Sequence, residues 1–301
     1  MSAIVPPIDT VAEIAESVGL GNPQSVSRMT GGKVNHVFLV QCKTARKVLR
    51  LNTACRAVFA KEKWAMGQAR QAGVTVPEVF ALGQCLGYDY MLLSFEEGEP
   101  LSSFTGDKEQ AIFELGRQAS LINSVAVEGY GYHLELGARP RFSATWKEAV
   151  RAELLMTFEH SACVKVGALS EAENQKCRVF LEAILDFDFP ARLCHCDLNE
   201  HNVLVQDGGR LVILDWTQAK GGAAPLFDLA RHSLKEPSWF DAICEGYGLS
   251  PSQRLAYATN FHRIALADKM RALAWAFSNE HPRLCEFIAD VRLVYSQVDL
   301  G

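Results

Sequence analysis

Leu193-Cys194-His195-Cys196-Asp197-Leu198-Asn199-Glu200-His201-Asn202 is the stretch whose reading decides how this chain folds. It sets a carboxylate, Asp197, and an amide, Asn202, five positions apart on a loop that runs into a β-hairpin. The hairpin reads from Val203–Val205 and Leu211–Leu214, joined by Asp207-Gly208-Gly209, and Asp-Gly is a strong turn signal. A hairpin returns the chain to its starting end. Asp215, just past the second strand, is therefore expected beside Asn202 although thirteen positions separate them. A carboxylate and an amide oxygen suit Mg²⁺, a hard octahedral cation that takes the rest of its shell from nucleotide phosphates and water. Asp197 is left to orient a substrate hydroxyl and accept its proton. Two blander readings compete. Asx residues often cap loops and end strands, and Cys194, His195, Cys196 and His201 offer ligands for zinc. No second thiolate pair at zinc spacing accompanies them, so the two cysteines read as small buried residues beside a strand.

Upstream, a short helix presents Val11, Ile14, Ala15 and Val18 on one face, with Thr10 and Glu13 spaced as a capping box. Val34–Gln41 and Lys47–Leu51 read as strands, a helix spans Arg56–Gln71, and Val79–Leu82 and Tyr88–Phe95 read as further strands. The first third is expected to be a five-stranded antiparallel sheet with one inserted helix. Thr30-Gly31-Gly32-Lys33-Val34-Asn35 lies between strands, where bare backbone can approach phosphate oxygens. The polar stretch Glu96-Glu97-Gly98-Glu99-Pro100 marks a connection between lobes, which divides the chain into residues 1–96 and 97–301. Beyond it, helical patterns cover Lys108–Asn123, Thr145–Glu159, Glu171–Leu185, Leu226–Leu234, Trp239–Gly246, Ser252–Phe277 and Pro282–Gln297, with the hairpin as the one exception.

With 301 residues, 49 % of them hydrophobic, the chain has enough apolar side chain for a sizeable core. Its apolar runs fall short of the roughly 20 residues needed to span a bilayer, and the first residues lack the pattern of a signal peptide. A cytoplasmic protein without membrane contact is expected. Nine scattered cysteines read as reduced thiols rather than a disulfide framework. The net charge of −5 offers no basic stripe for nucleic acid.

The pattern His-x-Asp-x-x-x-x-Asn, a hairpin and then Asp215-Trp216 resembles the aminoglycoside phosphotransferase and choline kinase family. That resemblance covers nearly the whole chain and implies an α+β, bilobal, protein-kinase-like fold: an N-lobe sheet plus helix, and a mainly helical C-lobe with an embedded catalytic hairpin. It implies Asp197 as the catalytic carboxylate, Asn202 and Asp215 as Mg²⁺ ligands, and His195 as a support of the loop. It also implies that Gly31, Gly32 and Asn35 approach the phosphates of ATP or GTP, and that Arg50 stands where a protein kinase carries its phosphate-binding lysine. Glu62 matches the ion-pair partner of that residue. Lys47 is the alternative phosphate contact. Ser94, Phe95 and Glu96 fall at the hinge that meets the base, and Asp228 matches a residue that braces the catalytic loop. Two positions depart from the family pattern: Cys196 stands where the family usually has Gly, and Ala224 where it usually has Asp.

Only nine residues separate Asp215 from Pro225, too few for a protein-kinase activation segment, so the expected acceptor is a small hydroxylated molecule. From Ser233 onward seven basic side chains stand against eight acidic ones, which disfavours a strongly cationic antibiotic. The run from Lys47 to Val79, with Thr145-Trp146, looks somewhat like hygromycin B phosphotransferase. Choline-type acceptors need an aromatic cage, for which Trp239, Tyr247, Trp275 and Phe277 are available. A kinase-like protein that binds a nucleotide or metabolite without turnover is the rival from another class, and the sequence is silent on oligomeric state.

Overall fold

The computed structural model describes residues 5–29, 36–43, 45–53, 56–133, 141–158 and 161–298. They divide into two compact units. One comprises the described residues within 1–104 together with Glu200–Ala219; the other comprises Thr105–His133 and the described residues within 141–199 and 220–301.

The first unit opens with α1 (Ile8–Ala15), then β1 (Ser25–Arg28), β2 (His36–Gln41), β3 (Arg46–Asn52), α2 (Arg56–Gln71), β4 (Val79–Cys85), β5 (Tyr88–Ser94) and the two-residue β6 (Glu99–Pro100). Pro7 occupies the N-cap of α1 and no side chain caps the helix, so Thr10 and Glu13 lie inside it instead of forming the expected capping box. The proline, unable to continue a helix backwards, sets this earlier start. Strands β1 to β5 make the expected five-stranded antiparallel sheet, in the order β1-β2-β3-β5-β4. Period-two alternation sends Phe38, Val40, Leu49 and Leu51 to one face, where they pack with Val11 and Ile14 of α1. Arg50, between the two leucines, turns to the opposite face. On α2, Phe59, Glu62, Ala65 and Ala69 recur at helical spacing and are all fully buried. A carboxylate within that stripe requires a partner.

The second unit begins with α3 (Lys108–Ser124), β7 (Tyr130–His133), β8 (Arg141–Ser143), α4 (Trp146–Glu153), α5 (Ala162–Lys165), α6 (Glu171–Glu182) and β9 (Ala191–Cys194). The chain then re-enters the first unit as the hairpin β10 (Val203–Val205) and β11 (Leu211–Ile213). The sequence reading assigns this hairpin to the second domain. It groups with the first because β10 pairs with β6 and the Ile213 N–H donates to the Thr75 carbonyl at 3.0 Å. The second unit resumes with β12 (Lys220–Ala223), α7 (Leu226–Leu229), α8 (Pro237–Tyr247), α9 (Pro251–Ser278) and α10 (Leu284–Gln297).

This unit is not purely helical, contrary to the expectation that the hairpin is the sole exception. Strands β8-β7-β12-β9 form a four-stranded sheet that carries the loop to Asp197. Each strand is only three or four residues long, and β12 reads Lys-Gly-Gly-Ala, without the β-branched residues that announce a strand. Gly221 is there because a Cβ would overlap the Gly129 carbonyl. No helix among the described residues is long and apolar enough to cross a membrane.

Helices α3 and α8 meet backbone to backbone, since a Cβ on Gly246 would overlap the Phe113 carbonyl. Gly246→Ala is therefore expected to lower the unfolding free energy by about 1–3 kcal/mol through overpacking. Urea denaturation reads this directly, and an unchanged midpoint would contradict so close an approach.

Candidate active site

Strand β9 delivers the loop His195–Asn199, and a buried carboxylate holds it from behind. Asp228 of α7 is fully buried; its Oδ1 accepts the Cys196 N–H at 2.8 Å and its Oδ2 accepts the His195 N–H at 3.2 Å. Asn123 Nδ2 donates to the same Oδ2 at 2.8 Å, and Tyr247 donates its hydroxyl to Asn123 Oδ1 at 3.1 Å. Burial pushes the Asp228 carboxyl up, while His195 and these donors oppose the rise. His195 is itself buried, and its Nδ1 accepts the Asp197 N–H at 3.2 Å. His232 Nε2 donates to the Leu198 carbonyl at 2.8 Å. The loop is thus pinned on both sides of Asp197. At its sharpest point Cys196 has φ +61°, a left-handed conformation that explains why glycine is usual there.

Asp197 emerges half-buried, and its Oδ1 accepts from Asn199 Nδ2 at 3.0 Å and from Arg231 Nη1 at 2.7 Å. Arg231 bridges onward, with Nη2 3.0 Å from Asp268 Oδ2, and Arg271 Nη2 reaches Asp268 Oδ1 at 2.6 Å. Burial works to raise the Asp268 carboxyl, yet the two guanidinium groups outweigh it and hold the group below its ordinary range.

In the first unit, Arg50 and Glu62 meet as the sequence reading expects. Arg50 Nη1 donates to Glu62 Oε2 at 2.5 Å, and both side chains are buried. Arg50 Nη2 stands 3.6 Å from Asp215 Oδ1. Thr217 completes the group: its hydroxyl lies 2.6 Å from Asp215 Oδ1, 2.9 Å from Glu62 Oε1 and 3.3 Å from Arg50 Nη2. One hydroxyl proton serves the two carboxylates in turn. Burial raises the Glu62 carboxyl; Arg50 opposes that rise and Asp215 adds to it. Lys47, the alternative to Arg50, sits instead over the Phe80 ring, 3.3 Å from its centroid.

Asn202 ends a short 3-10 turn, and its carbonyl accepts the Leu214 N–H at 2.8 Å, extending the register Val203↔Ile213. The hairpin therefore brings Asn202 and Asp215 to the same end. At the hinge, Ser94 is engaged by the protein. Its N–H donates to the Glu78 carbonyl at 2.9 Å, and its hydroxyl donates to Glu96 Oε1 at 2.5 Å. Phe95 lies under Arg46, 4.4 Å from ring centroid to guanidinium carbon, and Arg46 pairs with Glu97. Gly31, Gly32 and Asn35 lie outside the described residues.

Among the described residues no group of three or more His, Cys, Asp or Glu side chains is arranged to hold a metal ion. Of the four aromatic residues considered for a cage, Trp275 packs with His281 and Phe287, Trp239 lies by Lys108 and Tyr247 bonds Asn123, while Phe277 is exposed. Thr217, Arg231, Asp268 and Arg271 escape the sequence reading. The available signals are slight: a hydroxyl two positions past Asp215, and an arginine one helical turn past Asp228.

The profile of the Phosphotransferase enzyme family matches residues 25–272. Among solved structures, aminoglycoside phosphotransferase APH(4)-Ia superposes with a TM-score of 0.76 at 16 % identity, over 96 % of this chain and 99 % of its own. A thermostable mutant of it, in ternary complex with AMP-PNP and hygromycin B, gives 0.72 at 15 % identity, over 95 % and 98 %. Macrolide 2'-phosphotransferase MphH from Brachybacterium faecium gives 0.64 at 16 % identity, over 95 % and 97 %. At such identities the likeness establishes the protein-kinase-like fold. The comparison with curated proteins finds no match.

Arg50 and Glu62 neutralise each other in a buried setting, so removing one leaves a stranded charge. Arg50→Met alone is expected to cost about 3–5 kcal/mol of stability, and adding Glu62→Leu should restore much of it. Chemical unfolding of the four proteins of the cycle measures this. Additive losses would show that the pair does not act as a unit.

Proposed function

This chain belongs to the phosphotransferase enzyme family, and from that membership we propose that it transfers the γ-phosphate of ATP or GTP to a hydroxyl of a small molecule. The hydroxyl oxygen attacks the γ-phosphorus, its proton passes to the Asp197 carboxylate, and the bond to the β-phosphate oxygen breaks. That oxygen keeps the bonding electron pair and leaves with the nucleoside diphosphate. Phosphoryl transfer of this kind depends chiefly on positioning and charge. Arg50, held by Glu62, would fork onto the phosphates; Gly31, Gly32 and Asn35 would approach the phosphates, and the hinge at Ser94, Phe95 and Glu96 would meet the base. The AMP-PNP and hygromycin B bound by the APH(4)-Ia mutant are in keeping with a nucleotide donor and a small acceptor.

The observation that carries the proposal is the hairpin register. It turns an amide, Asn202, and a carboxylate, Asp215, to one end, and Asp215 is half-exposed there. Two hard oxygen donors fit Mg²⁺, which takes its remaining ligands from phosphate and water. These residues would hold it, and when bound it supplies positive charge against the phosphates. His195 and Asp228 act through Asp197 as positioning residues. A small soluble acceptor, with no nucleic acid or membrane as partner, and a place in the cytoplasm complete the proposal.

Asp197→Asn keeps the shape of the side chain but removes its charge and its capacity to accept the proton. Its kcat is expected to fall about 10²- to 10⁴-fold with nucleotide Kd little changed. Single-turnover phosphate transfer beside equilibrium nucleotide titration tests this. Near-normal turnover, or a loss of nucleotide affinity in proportion to rate, would remove Asp197 from the chemical step; a wild-type protein that binds nucleotide and transfers nothing would make it a binding protein.

A further inference from the structure

Arg231 and His232 are consecutive residues of the 3-10 turn Ala230–Leu234 that follows α7, and both reach the loop that carries Asp197. His232 holds backbone, through the Leu198 carbonyl at 2.8 Å. Arg231 holds the side chain itself, with Nη1 2.7 Å from Asp197 Oδ1. The difference matters, because backbone pins on either side of Asp197 leave its side-chain torsions open, and a rotated carboxylate no longer meets the hydroxyl it must orient. Arg231 and Asn199 Nδ2 both donate to Oδ1, and together they fix the orientation of the group.

The far end of the guanidinium is fixed in turn. Its Nη2 donates to Asp268 Oδ2 at 3.0 Å, and Arg271, three residues farther along α9, donates to Asp268 Oδ1 at 2.6 Å. A planar fork can join two carboxylates on different elements at a set angle, which a single ammonium cannot do. Burial works to lower the Arg231 guanidinium, but Asp268, Asp197 and Asp228 outweigh it and raise the group above its ordinary value. Arg231 is therefore a permanent charge on which three carboxylates converge. Without it, Asp197 would share the region with two like charges, and their repulsion would turn it from its place.

We propose that Arg231 is a positioning residue for phosphoryl transfer, one that locks the Asp197 carboxylate in the orientation that meets the acceptor hydroxyl, with Asp268 and Arg271 as the anchor behind it. The role rests on the phosphotransferase reading of Asp197. Arg231 is committed to protein carboxylates and acts through Asp197, not on substrate. Support of the catalytic loop then extends from the backbone, which Asp228 holds, to the side chain, and from α7 to the long helix α9.

Single-turnover transfer from γ-labelled ATP by the full chain, with Mg²⁺ and with glycerol as the hydroxyl probe, counts the label that reaches glycerol or water. Arg231→Met is expected to slow transfer about 10- to 100-fold, as displacement of a catalytic group does, with nucleotide Kd and the half-saturating glycerol concentration little changed. Arg231→Lys, which keeps the charge but reaches one carboxylate, is expected to recover part of the rate, and Asp268→Asn, which loosens Arg231 in place, to lose about tenfold. These two variants carry the test if urea denaturation shows Arg231→Met unfolded. In an Asp197→Asn background, with no carboxylate left to orient, Arg231→Met is expected to cost less than about twofold, whereas a merely structural role costs the same factor in both backgrounds. Wild-type rates in all three variants, equal costs in the two backgrounds, or a rate loss that follows nucleotide affinity would overturn the role. A wild-type protein that moves no label to glycerol or water removes the phosphotransferase reading and this role together; an active wild type with indifferent Arg231 variants removes this role alone.

Discussion

Asp228 is the constraint on which the second unit's chemistry depends. An ionised carboxylate taken out of water carries a desolvation penalty of several kcal/mol unless hydrogen bonds replace the lost hydration. Here the N–H groups of His195 and Cys196 and the Asn123 amide supply three of them. Because two of those donors are backbone, the interaction fixes the chain and not merely a side chain. The loop can then hold Cys196 at positive φ, a conformation that costs a non-glycine residue about 1–3 kcal/mol, and set Asp197 on the far side of the turn.

The first unit uses the same device. Glu62 is buried on α2 and satisfied by Arg50 and Thr217, and through them it is linked to Asp215. Magnitudes separate this pair from others on the surface. Arg178 and Glu182 also form an ion pair, but their side chains are 46 % and 40 % exposed, and such pairs contribute about 0–1 kcal/mol. The buried pair instead determines where a guanidinium points, which is what a phosphate-binding role asks of it.

Much of this is legible in the sequence, for identifiable reasons. The hairpin and its turn announce themselves through Asp207-Gly208 between short apolar runs, and Asn202 and Asp215 follow from hairpin geometry alone. Arg50 and Glu62 are found through the family resemblance, which matches them to the phosphate-binding position and its ion-pair partner; only the fold shows that both are buried. The sheet β8-β7-β12-β9 is not legible, since its strands are short and Gly221 is selected by close approach to Gly129 rather than by strand propensity. Asp268 and Arg271 are an i,i+3 pair on α9, but Arg231 reaches Asp268 only through packing of α9 against the turn after α7, a contact between distant segments that no local pattern encodes.

The central claim is that this chain moves a phosphoryl group from a nucleotide to an organic hydroxyl. The most direct measurement follows the fate of label in ATP carrying a marked γ-phosphate, incubated with the protein, Mg²⁺ and a mixture of small hydroxy compounds. The account predicts label in a phosphorylated organic product, formed faster than labelled inorganic phosphate is released. Label that stays in ATP, or that appears only as inorganic phosphate whatever hydroxy compound is supplied, would contradict it.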